Sequence, residues 1–221
     1  MPLTPSGNER CILYLVRHGD SRRDKVKRYI GQRDPSLNPR GRAQARFLQL
    51  QLAGIDFTRV YCSDLRRCRE TARIVAGRRG LRIRPVSDLR EIALGTWDGL
   101  AMHEVRRRFP DAYECRGRDI FNYRPPSGES FADLKARVIP VFLDIMYRET
   151  GPVLLVGHAG VNRVILHYLL NRPADAFFDI RQVYGCLNII ERQGKRMIVR
   201  EINIRPEPEA FSRAGCAALS I

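Results

Sequence analysis

The chain has 221 residues, 44 % of them hydrophobic, which is enough for one domain with a sizeable core, with or without a small cap, and too short for two full domains. Lys and Arg outnumber Asp and Glu by 39 to 24, giving a formal charge of +15. Such a charge raises nucleic acid or an acidic membrane surface as partners, but the basic residues are dispersed, only Lys25, Lys27, Lys135 and Lys195 are lysines, and no arginine-rich tail or RNA-binding signature occurs; an anionic small-molecule pocket is expected, and no nucleic-acid partner.

Residues 1–10 read as a leader. Cys11–Val16 is a continuous apolar run of the kind buried in a parallel sheet, ending in Arg17-His18-Gly19. Asn38-Pro39 offers an N-cap followed by proline at the first helical position, predicting a helix over 40–52. A short strand, Val60–Cys62, delivers Ser63 to a helix that runs to Ala76, and a strand over 82–86 follows. Helix 101–109 stops at Pro110, leaving a polar segment rich in Gly, Pro and Arg over 111–130, read as a lid. Ser130-x-x-Asp133 caps a helix that continues to Arg148 with a kink at Pro140. Strand 153–157, helix 160–170 and strands over 186–191 and 197–202 complete a domain spanning 11–204, and 205–221 read as a tail.

Strands alternating with helices predict an α/β fold of three layers, α/β/α, with a mostly parallel central sheet. The six cysteines lack C-x-x-C spacing and read as buried thiols in a reducing compartment. The N-terminus has neither a basic region followed by a long apolar run nor a membrane-spanning stretch, so a cytoplasmic protein without a membrane partner is expected.

Two histidines stand at two strand ends, His18 after the first strand and His158 in Gly157-His158-Ala159-Gly160. In an open α/β sheet ligands bind outside the carboxyl ends of the strands, where helix N-termini also point, so both imidazoles can meet at one crevice. A neutral imidazole nitrogen there can attack phosphorus, which makes His18 the candidate nucleophile. Arg17 supplies a planar fork for phosphate oxygens, and Gly19 lets the chain approach the ligand. Ser63 and Arg67 are four apart, so on the first turn of a helix they share a face and Arg67 reaches the same phosphate. His158 either stabilises the transferring phosphoryl group or caps the helix that follows it. His103 and His167 read as ordinary helix residues.

The ordered set of motifs resembles the histidine phosphatase superfamily, in its phosphoglycerate mutase-like branch, over roughly residues 11–170. Ser63-Asp64-Leu65-Arg66-Arg67-Cys68-Arg69-Glu70-Thr71-Ala72 is similar to its S-x-L-x-R-A-x-x-T-A, with Cys68 replacing Ala. Leu89-Arg90-Glu91 through Gly95-Thr96-Trp97-Asp98-Gly99 resembles L-x-E-x-x-x-G-x-W-E-G, which implies Glu91 as general acid and then base; Asp98 is the runner-up acid, at a position that belongs to a structural turn in the resembling pattern. The resemblance implies catalytic residues His18, Glu91 and His158, a substrate-binding set of Arg17, Gly19, Arg67 and Ser63, a small phosphorylated substrate, and no metal or other cofactor. A homodimer is left open. Where many relatives carry an Asn in the phosphate loop this chain has Asp24, which is left out of the binding set.

Phosphatase, mutase and a non-catalytic anion-binding module are the competing readings. Mutases place an Arg-His-Tyr-Gly run after the acid, whereas Ile92-Ala93-Leu94-Gly95 follows here, pointing to the phosphatase branch. The 95–99 turn and Pro125-Pro126-Ser127-Gly128-Glu129-Ser130-Phe131 are similar to α-ribazole phosphatases. In the lid, Arg116, Arg118, Tyr123 and Arg124 are the residues expected to hold the rest of the substrate.

Overall fold

The computed structural model describes residues 10–77 and 79–206. The expected leader and tail lie outside them, apart from Arg10, which opens β1, and Arg205 and Pro206. Six strands form one sheet: β1 (Arg10–Arg17), β2 (Arg59–Ser63), β3 (Ile83–Val86), β4 (Gly151–Gly157), β5 (Leu187–Gln193) and β6 (Arg196–Ile204), in spatial order β3-β2-β4-β1-β5-β6. The first four run parallel, and β5 and β6 extend the edge antiparallel, as the mostly parallel reading expects.

Side-chain alternation explains the layers. Leu13 and Leu15 of β1 with Val153 and Leu155 of β4 enter one core, against α5 (Phe131–Arg148) and α6 (Ala159–Leu170). Tyr14, Val16, Leu154 and Val156 point the other way, against α1 (Pro39–Gln51) and α2 (Arg66–Ala76). Strands buried on both faces therefore read as unbroken apolar runs.

Local chemistry fixes the helix starts. Asn38 Oδ1 accepts from Gly41 N at 2.8 Å with Pro39 in the first turn, and Ser130 and Asp133 form a reciprocal capping box. α5 runs through Pro140 as one helix. Two expectations change. Helix α2 begins at Arg66, and Ser63 closes β2 with its Oγ accepting from Leu65 N at 3.3 Å; a hydroxyl serving the turn leaves the helix to start three residues later. The supposed irregular lid begins with a helix, because Pro110, which stops α3 (Met102–Arg108), serves as the first-turn residue of α4 (Pro110–Arg118). Of the described cysteines, Cys11, Cys62, Cys68 and Cys186 are buried free thiols and Cys115 is exposed. No helix of the described residues is long and apolar enough to cross a membrane.

Candidate active site

β1 and β4 are neighbours in register, with Arg17 opposite Gly157, so the residues that follow them emerge side by side. His18 N donates to Gly157 O at 3.0 Å, and the His18 and His158 rings lie edge to face with centroids 5.1 Å apart. Arg67, 1 % exposed on the first turn of α2, enters between them: its Nε is 3.3 Å from His18 Nε2 and 3.3 Å from His158 Nδ1. Its other nitrogens donate to Arg33 O at 2.5 Å and Gly31 O at 2.8 Å, so the guanidinium is fixed by backbone.

These contacts settle the protons. Gly19 O, 2.7 Å from His18 Nδ1, can only accept, and Arg67 Nε–H can only donate. His18 therefore carries its proton on Nδ1 and turns the Nε2 lone pair toward the pocket. Burial first, then the charges of Arg67 and Arg17, hold its pKa well below 6.5, so the imidazole is neutral at physiological pH. His158 is held down in the same way by burial, Arg67, His18 and Arg17.

Glu91 approaches from the segment before the 95–99 turn and sits on the N-terminus of α6: Oε2 accepts from Gly160 N at 3.1 Å and Oε1 from Ile92 N at 3.0 Å. Gly160 makes the approach possible, since a Cβ there would lie 2.3 Å from Glu91 Oε1. Arg137 and Gln32 anchor the Glu91 carbonyl at 3.1 Å each. Arg17 donates to Gln182 O at 2.5 Å and lies 3.8 Å over the Tyr184 ring, while its buried Nε has no hydrogen-bond partner among the described residues.

An inner cavity of about 230 Å³ is lined by Arg17, His18, Arg67, Glu91, Arg116, Arg163 and Tyr184. It shares Arg17, Arg28, Arg163 and Tyr184 with an outer cleft of about 1060 Å³, whose lining adds Arg22, Arg23, Lys27 and Arg33. Arg163 and Tyr184 were missed in the sequence. Arg163 could have been found, since it stands near the start of the helix after His158; Tyr184 lies on an irregular loop that carries no local signal.

Other expected residues fall elsewhere. Ser63 does not line the cavity. Gly19 makes a close approach to α1: a Cβ there would lie 2.4 Å from Gly41 O. Of the expected lid residues only Arg116 reaches the inner cavity, flanked by the Tyr29 and Phe131 rings at 5.6 and 5.8 Å. Arg118 pairs with Glu114, Arg124 with Asp133, and Tyr123 stacks on Trp97. Asp98 accepts from Gln32 N and Leu94 N, a structural turn as expected. Asp24 pairs with Arg28 at 3.1 Å, which holds its carboxyl below the usual range. Among the described residues, no group of three or more His, Cys, Asp or Glu is placed to hold a metal ion.

The arrangement sets one neutral nucleophilic nitrogen among fixed cations, with a carboxyl group across the cavity, a geometry suited to phosphoryl transfer through a covalent intermediate. The profile of the histidine phosphatase superfamily (branch 1) matches residues 13–205. The chain is 29 % identical over 194 residues to the adenosylcobalamin/alpha-ribazole phosphatase of Escherichia coli, covering 87 % of this chain and 96 % of the relative. It is 32 % identical over 218 residues to human 6-phosphofructo-2-kinase/fructose-2,6-bisphosphatase 1, covering 89 % of this chain and 44 % of that longer protein. A crystal structure of a putative alpha-ribazole-5'-P phosphatase from Escherichia coli superposes with a TM-score of 0.81 at 28 % identity, covering 87 % of this chain and 96 % of that one.

Proposed function

This chain belongs to the histidine phosphatase superfamily (branch 1), and on that premise we propose that it is a metal-independent phosphomonoesterase working through a phosphohistidine. The observation that carries the reading is His18 itself: neutral, with its proton committed to Gly19 O and its Nε2 lone pair facing the cavity beside Arg67.

The ester phosphate binds between Arg17, Arg67, Arg163 and Arg116, which replace its hydration with preorganised charge. His18 Nε2 attacks phosphorus, the P–O bond to the alcohol breaks, and Glu91 gives the departing oxygen a proton. Water then attacks the phosphohistidine, Glu91 takes the water's proton, and inorganic phosphate leaves with His18 restored. His158 meets the charge that develops on the transferring oxygens.

For the substrate, the 95–99 and 125–131 motifs and the Escherichia coli relative support α-ribazole 5′-phosphate first and other compact sugar or amino-acid phosphates second. Phosphoglycerate mutase is disfavoured, because apolar Ile92, Ala93 and Leu94 follow the acid and two of them are buried.

The test is rapid quenching with 32P-labelled ester. Alkali-stable, acid-labile label is expected on the wild-type protein and none on His18→Ala; wild-type turnover by that variant rejects covalent catalysis here. Chelator is expected to leave the rate unchanged, and loss of rate restored by a divalent ion rejects the metal-free mechanism. Best turnover of phosphoserine or 3-phosphoglycerate replaces the ribazole ester while leaving the chemistry intact.

A further inference from the structure

Tyr184 takes no part in the reaction steps above, yet it lines both the inner cavity and the outer cleft. Its ring lies against the Arg17 guanidinium, with Cζ 3.8 Å from the ring centroid, and its centroid is 5.6 Å from that of His18. That stack and the bond from Nη1 to Gln182 O are the only ring contact and the only hydrogen bond of the Arg17 side chain among the described residues. The loop that presents Tyr184 is tied down without the tyrosine side chain. Arg17 N donates to Cys186 O at 3.0 Å, Gly185 N to His18 O at 3.1 Å and Val183 N to Asn203 Oδ1 at 2.8 Å, while the buried Gln182 side chain is bonded to Asn162 of α6 and Asn188 of β5.

We propose that Tyr184 is a positioning residue for phosphate binding: its ring face holds the Arg17 guanidinium at the cavity and leaves the in-plane donors of that group to the anion. The inference rests on the phosphatase reading, in which Arg17 meets the ester phosphate. A guanidinium carries all five N–H groups in its own plane, so a partner over its face takes none of them. An aromatic face attracts the cation through its quadrupole and brings no net charge. A carboxylate in the same place would take donors and repel the phosphate, as Asp20 takes Nε and Nη2 of Arg22. Arg67 shows another solution, two backbone carbonyls on its nitrogens. Arg22 Cζ also lies 5.2 Å from the Tyr184 centroid, but the Asp20 carboxylate holds that arginine without the ring, so the effect on phosphate is assigned to Arg17.

The test measures the Kd of inorganic phosphate by phosphorus-31 NMR titration, and kcat and KM on an aryl phosphate, for wild type, Tyr184→Phe, Tyr184→Leu and chains carrying mono-, di- or trifluorophenylalanine at position 184. Tyr184→Phe keeps the ring face and is expected near wild type. Tyr184→Leu is expected to raise the phosphate Kd and KM by about 5- to 20-fold, the range of a partly buried cation–π contact, and to cost kcat less than KM. The fluorinated rings keep the shape while draining negative charge from the face, so phosphate binding is expected to weaken step by step as fluorines are added. In an Arg17→Ala background Tyr184→Leu should add less than about twofold, because the two residues act as one unit. A phosphate Kd unmoved by Tyr184→Leu, a loss in Tyr184→Phe as large as in Tyr184→Leu, a fluorine series without a trend, or a Tyr184→Leu effect that persists without Arg17 each overturns the proposal. If wild type binds phosphate but hydrolyses no ester, the phosphatase reading fails by itself and the phosphate titrations still decide the role of Tyr184; if wild type binds no phosphate, the proposal falls whatever the turnover.

Discussion

In the inner cavity Arg67 is 1 % exposed and gives its guanidinium to Arg33 O and Gly31 O, whereas Arg23 and Lys27 of the outer cleft are exposed and have no acidic partner among the described residues. Arg22 and Arg28, also in the outer cleft, are paired with Asp20 and Asp24, their own side chains 43 % and 36 % exposed. Both regions are basic, but Arg67 is buried and held by backbone carbonyls on two of its nitrogens, whereas Arg23 and Lys27 are exposed. There a cation lowers the proton affinity of two histidines and fixes the proposed nucleophile; outside, the same residue type is screened by salt and can only attract anions. Position and burial, more than the count of arginines, divide chemistry from capture.

Four measurements test that division, from the largest effect to the smallest. Glu91→Gln removes the proposed inner proton donor while keeping its size, and a kcat loss of about 10²–10⁴ is expected for alkyl phosphates. An aryl phosphate, whose leaving group needs little protonation, should lose less; equal losses would make Glu91 a positioning group. Gly160→Ala adds a methyl where the Glu91 carboxylate sits, 2.3 Å from Oε1. Alanine suits a helix better than glycine by about 1 kcal/mol, so the fold should stand while kcat falls by about 10- to 100-fold as the acid is displaced. Unchanged kcat would show that the carboxylate tolerates the move.

Acid stability probes the neutral histidines. Their folded pKa values are depressed, so below about pH 6.5 the unfolded chain binds protons that the native state refuses, and stability falls as pH falls. Between pH 7 and 5.5 the two together are expected to remove about 2.5 kcal/mol, read as an earlier urea midpoint, before the carboxylates begin to titrate. His158→Gln should halve that dependence, and a midpoint flat across this range would mean the histidines are not held neutral. The smallest effect belongs outside. Removing both exposed cations, Arg23→Ala with Lys27→Ala, should lower kcat/KM by roughly 2- to 5-fold at low salt and hardly at all at high salt, with kcat unchanged. A loss that persists at high salt, or appears in kcat, would place these residues in the catalytic machinery.

Much of the fold was legible because its signals are local. The Cys11–Val16 and 153–157 runs are apolar for the same reason that they pair at the sheet centre, and Asn38-Pro39 and Ser130-x-x-Asp133 name their own helix starts. Boundaries failed where one local signal had two uses. Pro110 ends α3 and opens α4, and Ser63 turns the chain without entering the helix. In the site, His18, His158, Arg67 and Glu91 were found and are brought together, while the lid arginines show the limit: Arg116, Arg118 and Arg124 look alike in sequence, yet one faces the cavity and two pair with acids at the surface.

By itself the sequence determined the alternation of strands and helices, the two strand-end histidines and the order of motifs, because periodicity, capping and residue chemistry are properties of short segments. Tertiary structure alone decided which nitrogen of His18 carries the proton, that Arg67 enters between the rings, that Gly160 makes room for Glu91, and that Tyr184 and Arg163 join the cavity. Those facts depend on distances of about 3 Å between residues as many as 91 positions apart in the chain, and hydrogen bonding and burial act on such distances whatever the separation in sequence.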